Sequence, residues 1–148
     1  MIQTIFPLDT ADAVLKWGDD SFALNYKYDI SLMIDDLLEL ILAITSIERG
    51  KRSIAFATSG FPYQWDVEWY GASIQIRSEP LDKSRDLPKP LDVIETSIDF
   101  FLDQWRPVFR LINAAAVKSG YNVIGFPRGE WLLEQSKDRS ATARPMSP

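Results

Sequence analysis

Tyr63-Gln64-Trp65-Asp66-Val67-Glu68-Trp69-Tyr70-Gly71-Ala72-Ser73-Ile74-Gln75-Ile76-Arg77-Ser78 is the stretch that decides the fold. Up to Tyr70, large apolar and polar side chains alternate. A strand sends successive side chains to opposite faces, so Tyr63, Trp65, Val67 and Trp69 share one side and Gln64, Asp66, Glu68 and Tyr70 the other. Tyr70-Gly71 makes a tight connection, and Ile74 and Ile76 carry the apolar face into the next strand, read as Ala72 to Ser78. One greasy and one wet face is the pattern of an antiparallel sheet packed on a single side. Arg52 to Thr58 supplies a third strand, joined through the loop Ser59-Gly60-Phe61-Pro62. In this reading Tyr63, Trp65 and Trp69 pack against a helix, while Phe61 in the loop and Tyr70 at the hairpin tip are exposed.

Working outward, Ala13–Trp17 and Ser21–Tyr28 flank Gly18-Asp19-Asp20, which is turn chemistry, so the spacing predicts a hairpin. Residues 2–6 read as a short strand ended by Pro7. A helix is predicted over Ser31–Arg49, with Asp29 or Ser31 as its cap and Gly50 as its stop. More than half of its circumference is apolar, so it is expected to be buried on most sides. Asp35, Asp36 and Glu39 fall on its narrow polar arc.

Beyond a proline-punctuated linker over 79–90, Pro90 suits the first position of a second helix, Leu91–Lys118. Leu91, Ile94, Ile98, Phe101, Leu102, Trp105, Val108, Phe109, Ile112 and Ala116 stay in phase across Pro107, which predicts one helix kinked there. Its outer face runs from acidic (Asp92, Glu95, Asp99, Asp103) to basic (Arg106, Arg110, Lys118), the order that complements the helix dipole. Asn122–Phe126 reads as a last short strand and Gly129–Gln135 as a terminal helical turn or two. The fold class expected is α+β: an antiparallel sheet of about five to six strands, made of the N-terminal hairpin and the central meander, packed by two main helices. Residues 1–135 form one domain in this reading, and 136–148 a flexible tail.

Composition restricts the chemistry. The chain has no His and no Cys but five Trp. The usual general base, soft nucleophile and transition-metal ligands are therefore missing. Carboxylates alone would suit Ca²⁺ or Mg²⁺, but no EF-hand spacing is present. No serine elbow, Walker loop or dinucleotide fingerprint occurs. No cofactor is expected. The one enzyme reading rests on Asp66 and Glu68, paired on a strand face beside Tyr70. Carboxylates roughly 5–9 Å apart serve glycoside hydrolysis, and aromatic rings stack on sugars. Against it stands the plain alternation of a half-solvated strand.

The net charge of −5 is uneven: residues 1–48 hold nine acids against two bases. Phosphate binding needs Lys and Arg, so nucleic acid is not the expected partner. The longest apolar run, Leu37–Ile47, is interrupted by Glu39 and is too short to span a bilayer. The first residues show no basic segment or small-residue cleavage site of a secretory signal, so a cytoplasmic location is expected.

In size, charge and missing chemistry the chain resembles bacterial toxin-immunity proteins, which implies a non-catalytic domain that masks a basic toxin or effector domain. Charge complementarity speeds such encounters, and buried aromatic residues slow release. The candidate contacts are Asp19 and Asp20 in the hairpin turn, Asp35, Asp36 and Glu39 on the first helix, and Asp66, Glu68 and Tyr70 on the middle strand. The alternatives are a small-ligand or carbohydrate site at Asp66 and Glu68, and a structural domain that oligomerises through Leu37–Ile47.

Overall fold

In the computed structural model, which describes residues 12–84, 89–122, 124 and 128–137, six antiparallel strands form a two-stranded and a four-stranded sheet. The first sheet is the hairpin β1 (Asp12–Trp17) and β2 (Asp20–Asn25), closed by a two-residue turn in which Trp17 lies opposite Asp20. The second contains β3 (Arg49–Ala57), β4 (Pro62–Tyr70), β5 (Ser73–Pro80) and β6 (Ile94–Ser97), paired in chain order. Among the described residues, helices α1 (Ser31–Ser46), α2 (Ile98–Lys118) and α3 (Gly129–Ser136) complete an α+β fold. The expected strand at residues 2–6 lies outside the described residues, as do most of 122–126 and the tail beyond 137.

The alternation in β4 works as the sequence requires. Tyr63, Trp65, Val67 and Trp69 are buried together with Ile54 and Phe56 of β3 and Ile74 and Ile76 of β5. The ladder sets Trp65 opposite Ile54 and Ser78, and Val67 opposite Ile76. This inner face is covered by the hairpin, α1 and α2. Trp65 lies at the centre, its ring 5.4 Å from Trp17, 4.8 Å from Phe56 and 6.4 Å from Trp105.

Several local expectations are corrected. The strand expected to reach Tyr28 stops at Asn25, where the chain enters a π-helical turn over Tyr26–Ile30. The Asn25 side chain accepts hydrogen bonds from the amides of Lys27 and Tyr28 and caps that turn. Neither Asp29 nor Ser31 caps α1: the Ser31 hydroxyl donates back to the Lys27 carbonyl, and Asp29 is buried in a tertiary tie. That tie explains Phe61, which is fully buried rather than exposed. The Asp29 carboxylate accepts from the Thr58 hydroxyl at 2.7 Å and the Gly60 amide at 3.1 Å, and so pulls the loop inward.

Helix α1 ends at Ser46, and Gly50 is a residue of β3 rather than a helix stop. A methyl group at Gly50 would collide with the Trp69 ring, so glycine is needed there for close approach.

The second helix starts seven residues later than expected. Ile94 pairs with Ile76 in β6, Ser97 caps α2 by accepting from the Phe100 amide, and Pro90 opens no helix. Asp92 and Glu95 therefore lie outside the helix. Arg106, expected on its outer face, is buried and paired with Asp103. Helix α2 runs without a break through Pro107, as the in-phase apolar set demands; the bend there remains an expectation. Helix α3 packs on α2, tied by Arg110 Nε donating to the Ser136 carbonyl at 2.9 Å.

Candidate functional site

The three acidic groups occupy three separate places. Asp19 is exposed in the hairpin turn, and Asp20 is half-buried at the start of β2. The tip sits near the chain before β6, because Trp17 Nε1 donates to the Asp92 carbonyl at 2.6 Å. The ring contacts of Phe22 with Phe61 and Tyr63 keep this end of the hairpin on the inner side of the four-stranded sheet. Burial, and secondarily the charge of Asp20, push the Tyr63 phenol up from its ordinary range.

The α1 group is joined to arginines from other elements. Glu39 Oε2 lies 3.4 Å from Arg52 Nη2, and Arg52 Nη1 also donates to the Glu39 carbonyl at 3.2 Å. The other oxygen of Glu39 binds Arg128, which also approaches Asp35 at 3.9 Å. Arg128 stands immediately before α3 with a left-handed backbone, φ +58°. A non-glycine residue in that region carries strain, and the carboxylates of α1 hold its side chain in place. Partial burial, with Glu39 and Asp35 nearby, raises the pKa of the Asp36 carboxyl. This stripe therefore fastens α1 to β3 and to the start of α3.

Asp66, Glu68 and Tyr70 are brought together with new neighbours. All three project from the outer face of the four-stranded sheet, where every described side chain of β3 to β6 is exposed or half-buried. The register lays out rows across it. Lys51, Glu68, Gln75 and Glu95 form one, and Ser53, Asp66 and Arg77 the next. Ser53 Oγ donates to Asp66 at 2.6 Å and Gln64 Nε2 to the same oxygen at 3.1 Å, which holds the Asp66 carboxyl below its ordinary range. Lys51 Nζ lies 3.1 Å from Glu68, and Gln75 donates to Glu95 at 2.8 Å. Tyr70 is 66% exposed, with the Arg49 guanidinium 5.6 Å from its ring centre.

No known protein family matches the chain, and no curated protein or solved structure is significantly similar to it.

The carboxylates of this face lack the surroundings of a glycosidase pair. A glycosidase acid needs a raised pKa in a water-poor cleft. Asp66 is shifted the other way, and Glu68 lines a broad, open depression of about 860 Å³ with Lys51, Tyr70, Gln75 and Glu95 rather than a closed cleft. Among the described residues no group of three or more carboxylates could hold a metal ion, and no helix is long and apolar enough to cross a membrane. The sequence reading missed Lys51, Gln75 and Glu95 as neighbours of Glu68. The hairpin register after Tyr70-Gly71 could have placed Gln75, but Glu95 was hidden by the helical phase of Leu91, Ile94 and Ile98.

Proposed function

We propose that this chain is a non-catalytic protein-binding domain whose recognition surface is the outer face of the four-stranded sheet. One observation carries the reading: the inner face is covered by the hairpin, α1 and α2, while the outer face, over all four strands, has no buried side chain and no covering element among the described residues. A rigid, wide polar platform with an exposed tyrosine at one end is suited to another macromolecule. Tyrosine supplies contact area at small entropic cost. The strands of this face carry Asp66, Glu68, Glu79 and Glu95 against Arg49, Lys51 and Arg77, a slight acidic excess that, in a chain of net charge −5, favours a basic partner. The Lys51–Glu68 pair is solvent-exposed and hence weak, so a partner's cation can take the place of Lys51. In its most concrete form the domain masks a basic toxin or effector domain, as an immunity protein does.

The test compares capture from native lysate by the wild type, by Tyr70→Ala combined with Glu68→Lys, and by Asp35→Asn. The reading expects one basic protein to be retained by the wild type and by Asp35→Asn and lost by the outer-face variant, with weaker capture at higher salt. Capture unaffected by the outer-face variant, or lost with Asp35→Asn while the fold persists, would move the surface elsewhere. Turnover of any substrate by the pure chain would end the reading.

A further inference from the structure

We propose that the free edge of β3 pairs with the same strand of a second copy of this chain, joining two four-stranded sheets into one of eight strands. The proposal rests on the edge of the sheet and not on its outer face. Strand β3 is outermost and has β4 on one side only. An antiparallel strand turns its N–H and C=O groups toward a given neighbour at every second residue. The Gly71 amide donates to the Glu48 carbonyl at 2.8 Å, one step beyond the Arg49–Tyr70 pair, so the even-numbered residues of β3 face β4. Arg49, Lys51, Ser53, Ala55 and Ala57 therefore point their backbone groups to the open edge, and all of them are exposed. Among the described residues no strand pairs with that edge. Edge strands are commonly blunted by shortness, proline or a bulge. Strand β3 runs for nine residues without proline, and its register with β4 is unbroken from Arg49 to Ala57. Its guard is charge alone, from Arg49 and Lys51 at one end.

The placement of those charges selects the occupant. Two cations on the edge disfavour a basic strand, so the basic partner argued for the outer face does not extend this edge. A second copy meets no such conflict, because antiparallel pairing sends its own cations to the far end of the seam. A two-fold axis at Ser53 sets that residue against itself, Lys51 against the copy's Ala55, and Arg49 against the copy's Ala57. Each of these pairs exchanges two backbone hydrogen bonds, and the contact is self-complementary, as a two-fold interface requires. Of the symmetric registers, this one alone engages every residue that faces the edge. Moving the axis to Arg52 or Ile54 leaves Ala57 or Arg49 unpaired, and moving it to Lys51 opposes two lysines. On the inner side Arg52 comes opposite the copy's Ile54, and its charge is already met by Glu39. Main-chain bonds thus supply the attraction, as in other strand additions, while the small side chains of Ser53, Ala55 and Ala57 let the backbones approach.

Sedimentation equilibrium of the full chain, from micromolar to millimolar concentration, should show a monomer–dimer equilibrium. Amide exchange followed by NMR locates the seam. With rising concentration the amides of Lys51, Ser53 and Ala55 gain protection, while those of Arg52 and Ile54, already bonded to β4, do not change. Charge then tests the register, since Ala55 faces the copy's Lys51 twice in each dimer. Ala55→Glu tightens the dimer and Ala55→Lys weakens it, each by roughly two- to thirtyfold for two cross-strand pairs. Adding Lys51→Glu to Ala55→Lys restores it. Ser53→Pro removes the central amide and abolishes pairing; should that variant not fold, the two Ala55 variants still decide. A chain that stays monomeric at every concentration overturns the proposal and leaves the edge to a foreign strand. So does a dimer in which the Lys51, Ser53 and Ala55 amides stay unprotected, or one indifferent to the sign of the charge placed at residue 55.

Discussion

Replacing Asp29 should cost more stability than replacing any other acidic residue among those described. Asp29 is 7% exposed and accepts three hydrogen bonds: from the Thr58 hydroxyl at 2.7 Å, the Gly60 amide at 3.1 Å and the Asn25 amide at 2.9 Å. These ties join the end of β2, the π-helical turn and the loop that buries Phe61. The bond from Thr58 is fully buried and ends on a carboxylate, so it is worth about 2–3 kcal/mol, and the two partly buried amide bonds about 0.5–1 each. Asp29→Ala should therefore lose about 3–5 kcal/mol, read as a lower urea midpoint by tryptophan fluorescence. Thr58→Ala removes the buried bond and also an acceptor for the Phe61 amide. A double-mutant cycle between Asp29→Ala and Thr58→Ala should give a coupling of at least about 1.5 kcal/mol. Gly60→Ala attacks the same tie from the other side, since its Cβ would lie 2.6 Å from an Asp29 oxygen. A loss below about 1.5 kcal/mol for Asp29→Ala, or additive effects in the cycle, would refute this account of why the loop turns inward.

Gly50→Ala should destabilise by about 1–3 kcal/mol through overpacking against Trp69, whose Nε1 also donates to the Ile47 carbonyl at 2.8 Å; an unchanged melting curve would contradict that contact. Glu39→Gln should speed amide exchange in α3, because Glu39 holds Arg128 at the start of that helix, and unchanged exchange would show that the docking of α3 is independent of the ion pair. Asp36 and Asp66 should give opposite pH signatures. Asp36 binds its proton more tightly in the folded chain than its ordinary 3.8, so its contribution to stability falls as pH rises above that value. Asp36→Asn should accordingly raise the urea midpoint at neutral pH but not well below 3.8. Asp66 is held below 3.8, so its contribution is present above that value and lost as pH falls through the folded pKa. Asp66→Asn should lower the midpoint at neutral pH only, and identical pH profiles for the two variants would refute both assignments.

The parts of this fold that were legible in the sequence are those fixed by short-range periodicity. Tyr63 to Trp69 alternate apolar side chains, three of them large rings, with polar groups, the period of a strand, so β4 and its buried face followed directly. The region before α2 failed for the opposite reason. Leu91, Ile94 and Ile98 lie at spacings of three and four, so their apolar phase joins the true helix without a seam. The start signal was Ser97: its hydroxyl oxygen accepts from the Phe100 amide, and that cap outweighs three apolar residues in phase. Phe61 and Gly50 were misplaced because their partners, Asp29 and Trp69, are distant in sequence.

The same distinction governs the candidate site. Asp66, Glu68 and Tyr70 were rightly grouped, because residues two apart on a strand must share a face whatever the topology. The grouping of Asp35, Asp36 and Glu39 was equally sound, since residues three and four apart on a helix are neighbours. What those groups face is a tertiary property. Helix α1 lies on the inner side of the sheet and meets Arg52 and Arg128, while β4 turns its carboxylates outward. The acidity of the N-terminal half is thus divided between an internal fastening and exposed surface. Local charge density therefore overstates what a partner can reach, and Asp66, Glu68 and Tyr70 remain the group on which a test of recognition bears most directly.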